Sequence, residues 1–111
     1  MKRYIRSTSL IDNAESILHE CLDVFYDVIG EAWPNGEIHE TVYGCNEVYS
    51  LATYTREEAD QAIAELNDAL TAAGLRQYIT KIESFGSELF TERPLRILMR
   101  FKRSVSCVHM Y

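Results

Sequence analysis

Two histidines and two cysteines have the side-chain types that bind zinc: His39, Cys45, Cys107 and His109. A sheet that brought them to one end could form a zinc site. However, no CxxC or HxxxH pair fixes two ligands locally, as structural zinc sites usually do. A Cys–His nucleophile would also need a positioned base or dipole to form the thiolate, and the sequence indicates neither. A small enzyme or metal protein built on Cys45, Cys107 and His109 is therefore our third hypothesis, and we expect no enzyme activity, metal or cofactor.

A regular series of acids offers a different kind of chemistry. The stretch ECLDVFYDVIGE contains Glu20, Asp23, Asp27 and Glu31 and no basic residue. Their spacings of three, four and four residues make each acid the neighbour of the next on a helix, at about 0.2–0.5 kcal/mol of repulsion per pair. These acids would lie opposite the apolar positions of the helix, so packing does not require them. They are either a solubilising face or a surface for a basic partner.

A second predicted helix repeats the pattern with acids on its outer side. If both helices cover one face of a sheet, their acidic surfaces merge, with tyrosines at the border, Tyr26 among them. Such a surface steers a basic protein, and tyrosine is a common interface anchor. The predicted partner-binding residues are Glu20, Asp23, Asp27, Glu31, Glu58, Glu65 and Asp68 for charge, and Tyr43 and Tyr49 as anchors. One helix carries about one acid per 5.5 Å, against about one charge per 1.7 Å in duplex DNA, so nucleic-acid mimicry needs both helices.

The basic residues of the last predicted strand support an alternative. Arg96, Arg100 and Lys102 share one strand face by period-two alternation, and the N-terminal Lys2 and Arg6 alternate in the same way. A sheet face of this kind can bind RNA, although the stretch RILMRFKRSV lacks the RNP-type motif. The simpler interpretation is a pair of edge strands protected by charge. A nucleic-acid-binding module is thus the second hypothesis, and direct nucleic-acid binding is not favoured.

The elements that would position these residues follow from periodicity and turn signals. We predict a first strand at residues 3–7 and a helix that starts at Ser9 or Asp12 and ends before a WPNG turn. Two strands follow around a turn at 44–46, and Thr55 caps the second helix with Glu58 in a capping box. The last two strands cover residues 75–85 and 94–105.

This β-α-β-β-α-β-β order predicts an α+β fold. Two helices would pack on one face of a four- to five-stranded antiparallel sheet, as in a ferredoxin-like plait with one added strand. The predicted buried positions of the first helix are Ala14, Leu18, Cys21, Leu22, Phe25, Val28 and Ile29. Those of the second helix are Ala59, Ala62, Ile63, Leu66, Leu70 and Ala73.

Composition and charge limit the classes to which the protein can belong. The 111 residues predict a single domain over 1–111, and 47% of them are apolar, enough for a core. The net charge of −6 combines −13 over residues 7–75 with +3 before and +4 after that segment. Three cysteines at unpatterned spacings, no signal peptide and no apolar run of membrane-spanning length predict a cytoplasmic protein without membrane contact. We also consider a homodimer, in which the C-terminal stretch VSCVHMY pairs with the edge strand of a second copy.

The opening MKRYIRS and the small, acidic, tyrosine-bearing, motif-free composition resemble small accessory proteins of bacteriophages and mobile elements. Anti-CRISPR and anti-restriction inhibitors belong to this group. The resemblance implies a non-enzymatic inhibitor that binds a host nuclease in the bacterial cytoplasm. It carries over no functional residue. Together with the acidic helices, it predicts a protein-binding inhibitor of a basic, nucleic-acid-handling protein such as a CRISPR nuclease.

Overall fold

The computed structural model describes residues 13–35, 47–86 and 92–106. The described chain is α+β, as predicted. Its helices are α1 (Ala14–Ile29), α2 (Arg56–Ala72) and the short α3 (Arg103–Ser106), with a 3-10 turn at Arg76–Tyr78. Its strands are β1 (Ala32–Asn35), β2 (Glu47–Ser50), β3 (Ile79–Phe85) and β4 (Arg96–Phe101). The predicted first strand at 3–7 lies outside the described residues.

The strands pair antiparallel in the order β1-β2-β4-β3. Strand β4 is central because it pairs with β2 on one side and β3 on the other. A ferredoxin-like plait places its first strand between the strands that β2 and β3 represent, whereas here the last strand occupies that position. The ferredoxin-like order is therefore not confirmed.

Side-chain alternation along β4 gives the sheet a buried face and an outer face. Ile97, Met99 and Phe101 are buried in the core, whereas Leu98 and Arg100 between them are half-buried. The inward residues join one apolar cluster with residues of α1 and α2, so both helices share the core formed on this face of the sheet. We call the second face, which holds Leu98 and Arg100, the outer face of the sheet.

Helical periodicity predicted most of the core. In α1 the buried residues are Ala14, Leu18, Cys21, Leu22, Phe25 and Ile29. Val28 is half-buried against this cluster instead. In α2 the buried residues are Ala59, Leu66 and Leu70, with Ala62 and Ile63 packed at the edge of the core. Ala73 is exposed, so its predicted burial was wrong: it is the C-cap, where the helical stripe no longer faces the sheet.

Local hydrogen bonds explain where α2 begins and ends. The predicted capping box is confirmed: the Glu58 N–H donates to Thr55 Oγ1 at 3.2 Å, and the Thr55 N–H donates to Glu58 Oε1 at 2.9 Å. At the other end Gly74 adopts a φ of +73°, which an L side chain rarely tolerates. The Leu75 N–H then donates to the Leu70 carbonyl at 2.8 Å, which closes a Schellman motif.

The start of α1 differs from the prediction. The helix begins at Ala14, and its N-cap is Asn13 with a φ of 62° and no side-chain capping bond. Neither predicted cap, Ser9 or Asp12, is the observed one, and both lie outside the described residues. Asn tolerates the left-handed conformation better than most side chains, which accounts for its place at this boundary.

The WPNG stretch was predicted as a turn, and this was wrong for residues 33–35, whereas Gly36 lies outside the described residues. Residues 32–35 instead form β1, in which Trp33 pairs with Tyr49 and Pro34 pairs with Val48. Pro34 is tolerated because β1 lies at the edge of the described sheet, where a missing N–H costs no ladder bond. The hairpin strands are thus 32–35 and 47–50, and the predicted turn at 44–46 lies outside the described residues.

The final predicted strand is also shorter than expected. β4 ends at Phe101, and α3 follows where the strand was predicted to continue to 105. The Lys102 N–H donates to the Tyr78 carbonyl at 2.9 Å, and the Val105 N–H donates back to the Lys102 carbonyl at 3.1 Å. This turn buries Val105 in the core, which explains why an apolar residue here does not indicate a strand.

We predict that Thr55→Ala lowers the free energy of unfolding by about 1 kcal/mol, because the variant loses the side-chain acceptor of the capping box. Urea denaturation monitored by circular dichroism measures the change. Thr55→Ser should retain most of the stability. Thr71→Ala, an exposed site in the last turn of the same helix, should stay within about 0.5 kcal/mol of wild type. Equal losses for Thr55→Ala and Thr71→Ala would contradict the capping role.

Candidate functional site

The acidic surface of α1 consists of Glu20, Asp23, Asp27 and Glu31. All four residues are exposed. Glu20, Asp23 and Asp27 lie on the helix as the spacing predicted, but α1 ends at Ile29 and Gly30 leaves the helical conformation with a φ of 96°, so the prediction that Glu31 continues the helical face was wrong. Helix α1 contains no Lys or Arg that could neutralise them within the element. Within the part of the chain that the structure describes, none of the four side chains makes an ion pair or a hydrogen bond.

The acids of α2 divide into two kinds. Glu58 accepts the capping bond from Thr55 and pairs with Arg93, with Nη2 2.9 Å from Oε1. The Thr55 backbone N–H and the Arg93 guanidinium hold the pKa of Glu58 below its ordinary value. Glu65 only accepts a bond from the Gln61 amide at 3.3 Å, and Asp68 is exposed. Glu58 thus has an internal structural role, whereas Glu65 and Asp68 remain at the surface.

An open groove lies at the C-terminal end of α1, beside the acidic surface. We call it the α1–β2 groove; it has a volume of about 580 Å³ and is lined by Tyr26, Gly30, Glu31, Ala32 and Leu51. Tyr26 is 39% exposed and Leu51 is 38% exposed, although both are large hydrophobic residues. The Leu51 N–H donates to the Glu31 carbonyl at 3.0 Å, which fixes the two sides of the groove relative to each other.

Sequence reasoning placed Tyr26 at this border but missed Leu51. Leu51 follows β2 directly and belongs to no helical or strand periodicity, so its exposure left no signal in the sequence. The register of β1 and β2, which brings residue 51 back to residue 31, was also not predicted. The groove therefore depends on the pairing of β1 with β2, which the sequence did not predict.

Of the two predicted tyrosine anchors, the structure describes Tyr49, and Tyr49 does not border the acidic surface. Tyr49 alternates with the buried Val48, so its side chain lies on the outer face of the sheet, away from the helices. There it meets Phe85 edge-to-face, with ring centroids 5.8 Å apart. Tyr43 lies outside the described residues. Among the described tyrosines, Tyr26 is the one that lies on α1 with the acids.

The basic face predicted for β4 is partly neutralised, because one of its arginines pairs with a carboxylate. Arg96 and Arg100 do share the outer face with Leu98, as the alternation predicted. Arg100, however, pairs with Glu47, a carboxylate that is only 7% exposed, and its Nε donates to Oε2 at 2.7 Å. Lys81 on β3 likewise pairs with Glu83 at 3.1 Å. Lys102 follows the end of β4, and Lys2 and Arg6 lie outside the described residues.

Cys21, the cysteine within the described residues, is not suited to act as a nucleophile. Cys21 is fully buried in the core, and burial, with the neighbouring Glu20 charge, raises its pKa from 9.0 to about 11. A thiol with so high a pKa is protonated at neutral pH and is a poor nucleophile. Among the described residues no group of three or more His, Cys, Asp or Glu side chains could hold a metal. His39, Cys45, Cys107 and His109 lie outside that part of the chain.

Comparisons with protein-family models, with curated proteins and with solved structures found no match to this chain. In the described part of the chain, no helix combines the length and the apolar composition needed to cross a bilayer. Function is therefore inferred from the residues and geometry of this chain.

We predict that Arg100→Gln lowers the free energy of unfolding by about 1–3 kcal/mol, because it removes the guanidinium that compensates the buried Glu47 carboxylate. Arg96→Gln is the matched control, since it changes an exposed arginine on the same strand and the same face. It should change stability by less than about 0.5 kcal/mol. The double variant Glu47→Gln/Arg100→Gln should recover part of the loss in a double-mutant cycle measured by urea denaturation. Additive losses would contradict the coupling.

We predict that Cys21 does not react with a thiol reagent in the folded protein at pH 8, since its thiolate forms only near pH 11 and the sulfur is buried. The measurement uses a Cys45→Ser/Cys107→Ser variant, so that a disulfide reagent reports on Cys21 alone. The same sample in concentrated urea should react fully within minutes. Fast labelling of the folded variant at pH 8 would show that this thiol is accessible and contradict the assignment.

Proposed function

We propose that the protein is a non-enzymatic binding module that inhibits a basic, nucleic-acid-handling protein through the acidic surface of α1. The observation that carries this proposal is the set of four exposed carboxylates with no cation paired to them among the described residues. Adjacent like charges on a helix cost stability, so their presence on a face that packing leaves free favours a role in recognition. Glu65 and Asp68 on α2 extend the negative charge.

Electrostatics explains what such a surface does well and what it does poorly. Complementary charge accelerates encounter and disfavours wrong partners, and this effect weakens beyond about 8 Å at physiological salt. The acid spacing along α1, about 5.5 Å, is roughly three times that of duplex DNA charges. The proposed target is therefore a protein whose basic groove accepts a helix with additional contacts, rather than one that requires full DNA charge density.

The identity of the target class rests on the sequence resemblance to phage and mobile-element accessory proteins. On that basis we propose a bacterial nuclease, a CRISPR nuclease among them, as the partner, with the cytoplasm of the host cell as the place of action. Inhibition would follow by occupation of the nucleic-acid-binding surface, which needs no catalytic residue.

A second candidate function is nucleic-acid binding through the outer face of the sheet. Phe85 is 37% exposed there and packs against Tyr49, while Arg96 is exposed on the same face. Aromatic side chains beside an arginine are a common platform for unpaired bases. The pairing of Arg100 with Glu47 reduces the positive charge of this face and makes it the weaker candidate.

We expect Asp23→Asn/Asp27→Asn to weaken binding to a target nuclease at least about tenfold at low salt, with a smaller difference at high salt. The measurement is surface plasmon resonance against purified Cas9-type and other basic nucleases, with DNA cleavage as a second readout. The matched control, Glu83→Gln/Glu92→Gln, changes the net charge equally but leaves α1 intact, so it should bind like wild type.

Equal binding by Asp23→Asn/Asp27→Asn and wild type would exclude the acidic surface of α1 as the nuclease-binding site. Equal weakening by the control variant would show that net charge alone matters. RNA binding that is lost in Arg96→Gln but retained in the acidic-surface variant would support the second candidate instead.

A further inference from the structure

The α1–β2 groove exposes two large apolar side chains that the core does not use. Tyr26 and Leu51 lie outside the apolar core cluster. They come from different elements, the last turn of α1 and the residue after β2, and both line the same shallow, open groove. Exposed apolar side chains that share a concave surface are a common feature of binding grooves, whereas scattered single ones are not.

The backbone that carries the groove is fixed by hydrogen bonds. The Gly30 N–H donates to the Tyr26 carbonyl at 2.9 Å, which closes the end of α1. The Leu51 N–H donates to the Glu31 carbonyl at 3.0 Å, and the β1–β2 register pairs Ala32 with Ser50 one step further along. Because these bonds set the groove before any partner arrives, little ordering of the backbone is needed on binding.

The charges at the groove define the chemistry of its occupant. Glu31 belongs to the lining, and Asp23 lies three residues before Tyr26, so the two side chains are neighbours on the helix surface. Asp27 lies outside the lining and is the next acid after Asp23, one helical turn further along α1. Neither α1 nor β1 contains a Lys or Arg. An acidic segment would be repelled from this position, and a purely apolar segment would supply no cation to pair with the carboxylates.

We propose that the α1–β2 groove binds one bulky apolar side chain from a basic segment of the partner protein. Lysines and arginines that flank this side chain pair with Asp23, Asp27 and Glu31. This inference rests on the proposed function, to which it adds the recognition motif: an apolar anchor between cations. The anchor supplies the selectivity that exposed charge pairs alone do not provide, since such pairs are worth little in water.

The test uses two labelled synthetic peptides that differ at one position, with a central leucine or a central alanine flanked on both sides by arginine and lysine. Fluorescence anisotropy with the full chain measures both affinities. We expect wild type to bind the leucine peptide about tenfold more tightly, since burying the additional apolar carbons of leucine in the groove is favourable. Backbone amide shifts of Gly30, Ala32 and Leu51 should accompany binding.

Three variants assign the effect to its source. Leu51→Ser should abolish the preference for leucine while leaving the affinity for the alanine peptide unchanged. Asp23→Asn/Asp27→Asn should weaken both peptides by the same factor and retain the preference. Phe85→Ser is the matched control, because it changes an equally exposed apolar residue on the outer face of the sheet. It should change neither affinity, and circular dichroism verifies that each variant is folded.

Each contrary result has a distinct meaning. Equal affinity of wild type for both peptides, or a preference that persists in Leu51→Ser, overturns the groove inference but leaves the acidic surface in place. No binding of either peptide at low salt overturns the groove inference and counts against the proposed function as well. Sedimentation without peptide tests a second copy as the occupant: a dimer that dissociates in Leu51→Ser would overturn the assignment to a basic partner.

Discussion

The inward face of β4 is the constraint on which the rest of the structure depends. Ile97 and Met99 are fully inaccessible to solvent and Phe101 is nearly so, and they form one cluster with the apolar stripes of α1 and α2. A helix that must bury one stripe against this surface has its opposite face directed to solvent. The position of the α1 acids is thus set by the packing of Phe25 and Leu22, not by any interaction of the acids themselves.

The same constraint gives the carboxylates of the chain two different environments. Glu47, on a strand at the sheet, is 7% exposed and is compensated by Arg100 across the β2–β4 ladder. Asp23 and Asp27, on the outer side of α1, are hydrated and need no partner for stability. Acids of the first kind contribute to the fold. Those of the second kind are removable without cost to the core, which is why they are the ones assigned to recognition.

How much of the structure can be predicted from sequence depends on the range of each interaction. The helical stripes and the Thr55 capping box were predicted because each is set by residues within one or two turns. The Arg100–Glu47 pair was not, since its partners are 53 residues apart and alternation along β4 reveals the face but not the neighbour. Pro34 was misassigned because a local turn signal was weaker than strand pairing at an edge. Leu51 was missed because only the register of β1 and β2 places it beside Tyr26.

The distribution of cations supports an external partner for the acidic surface. Several described arginines and lysines contact groups on α2 or the sheet, in the pairs Arg56–Ser84, Arg76–Asn67, Lys81–Glu83, Arg93–Glu58 and Arg100–Glu47. None of these five contacts reaches α1. Four of these cations, Arg76, Lys81, Arg93 and Arg100, belong to the basic segment 76–111, and their partners lie on α2 or in the sheet. These five contacts supply no cation to the acids of α1, which is consistent with the proposal that the acidic surface meets the cations of another molecule.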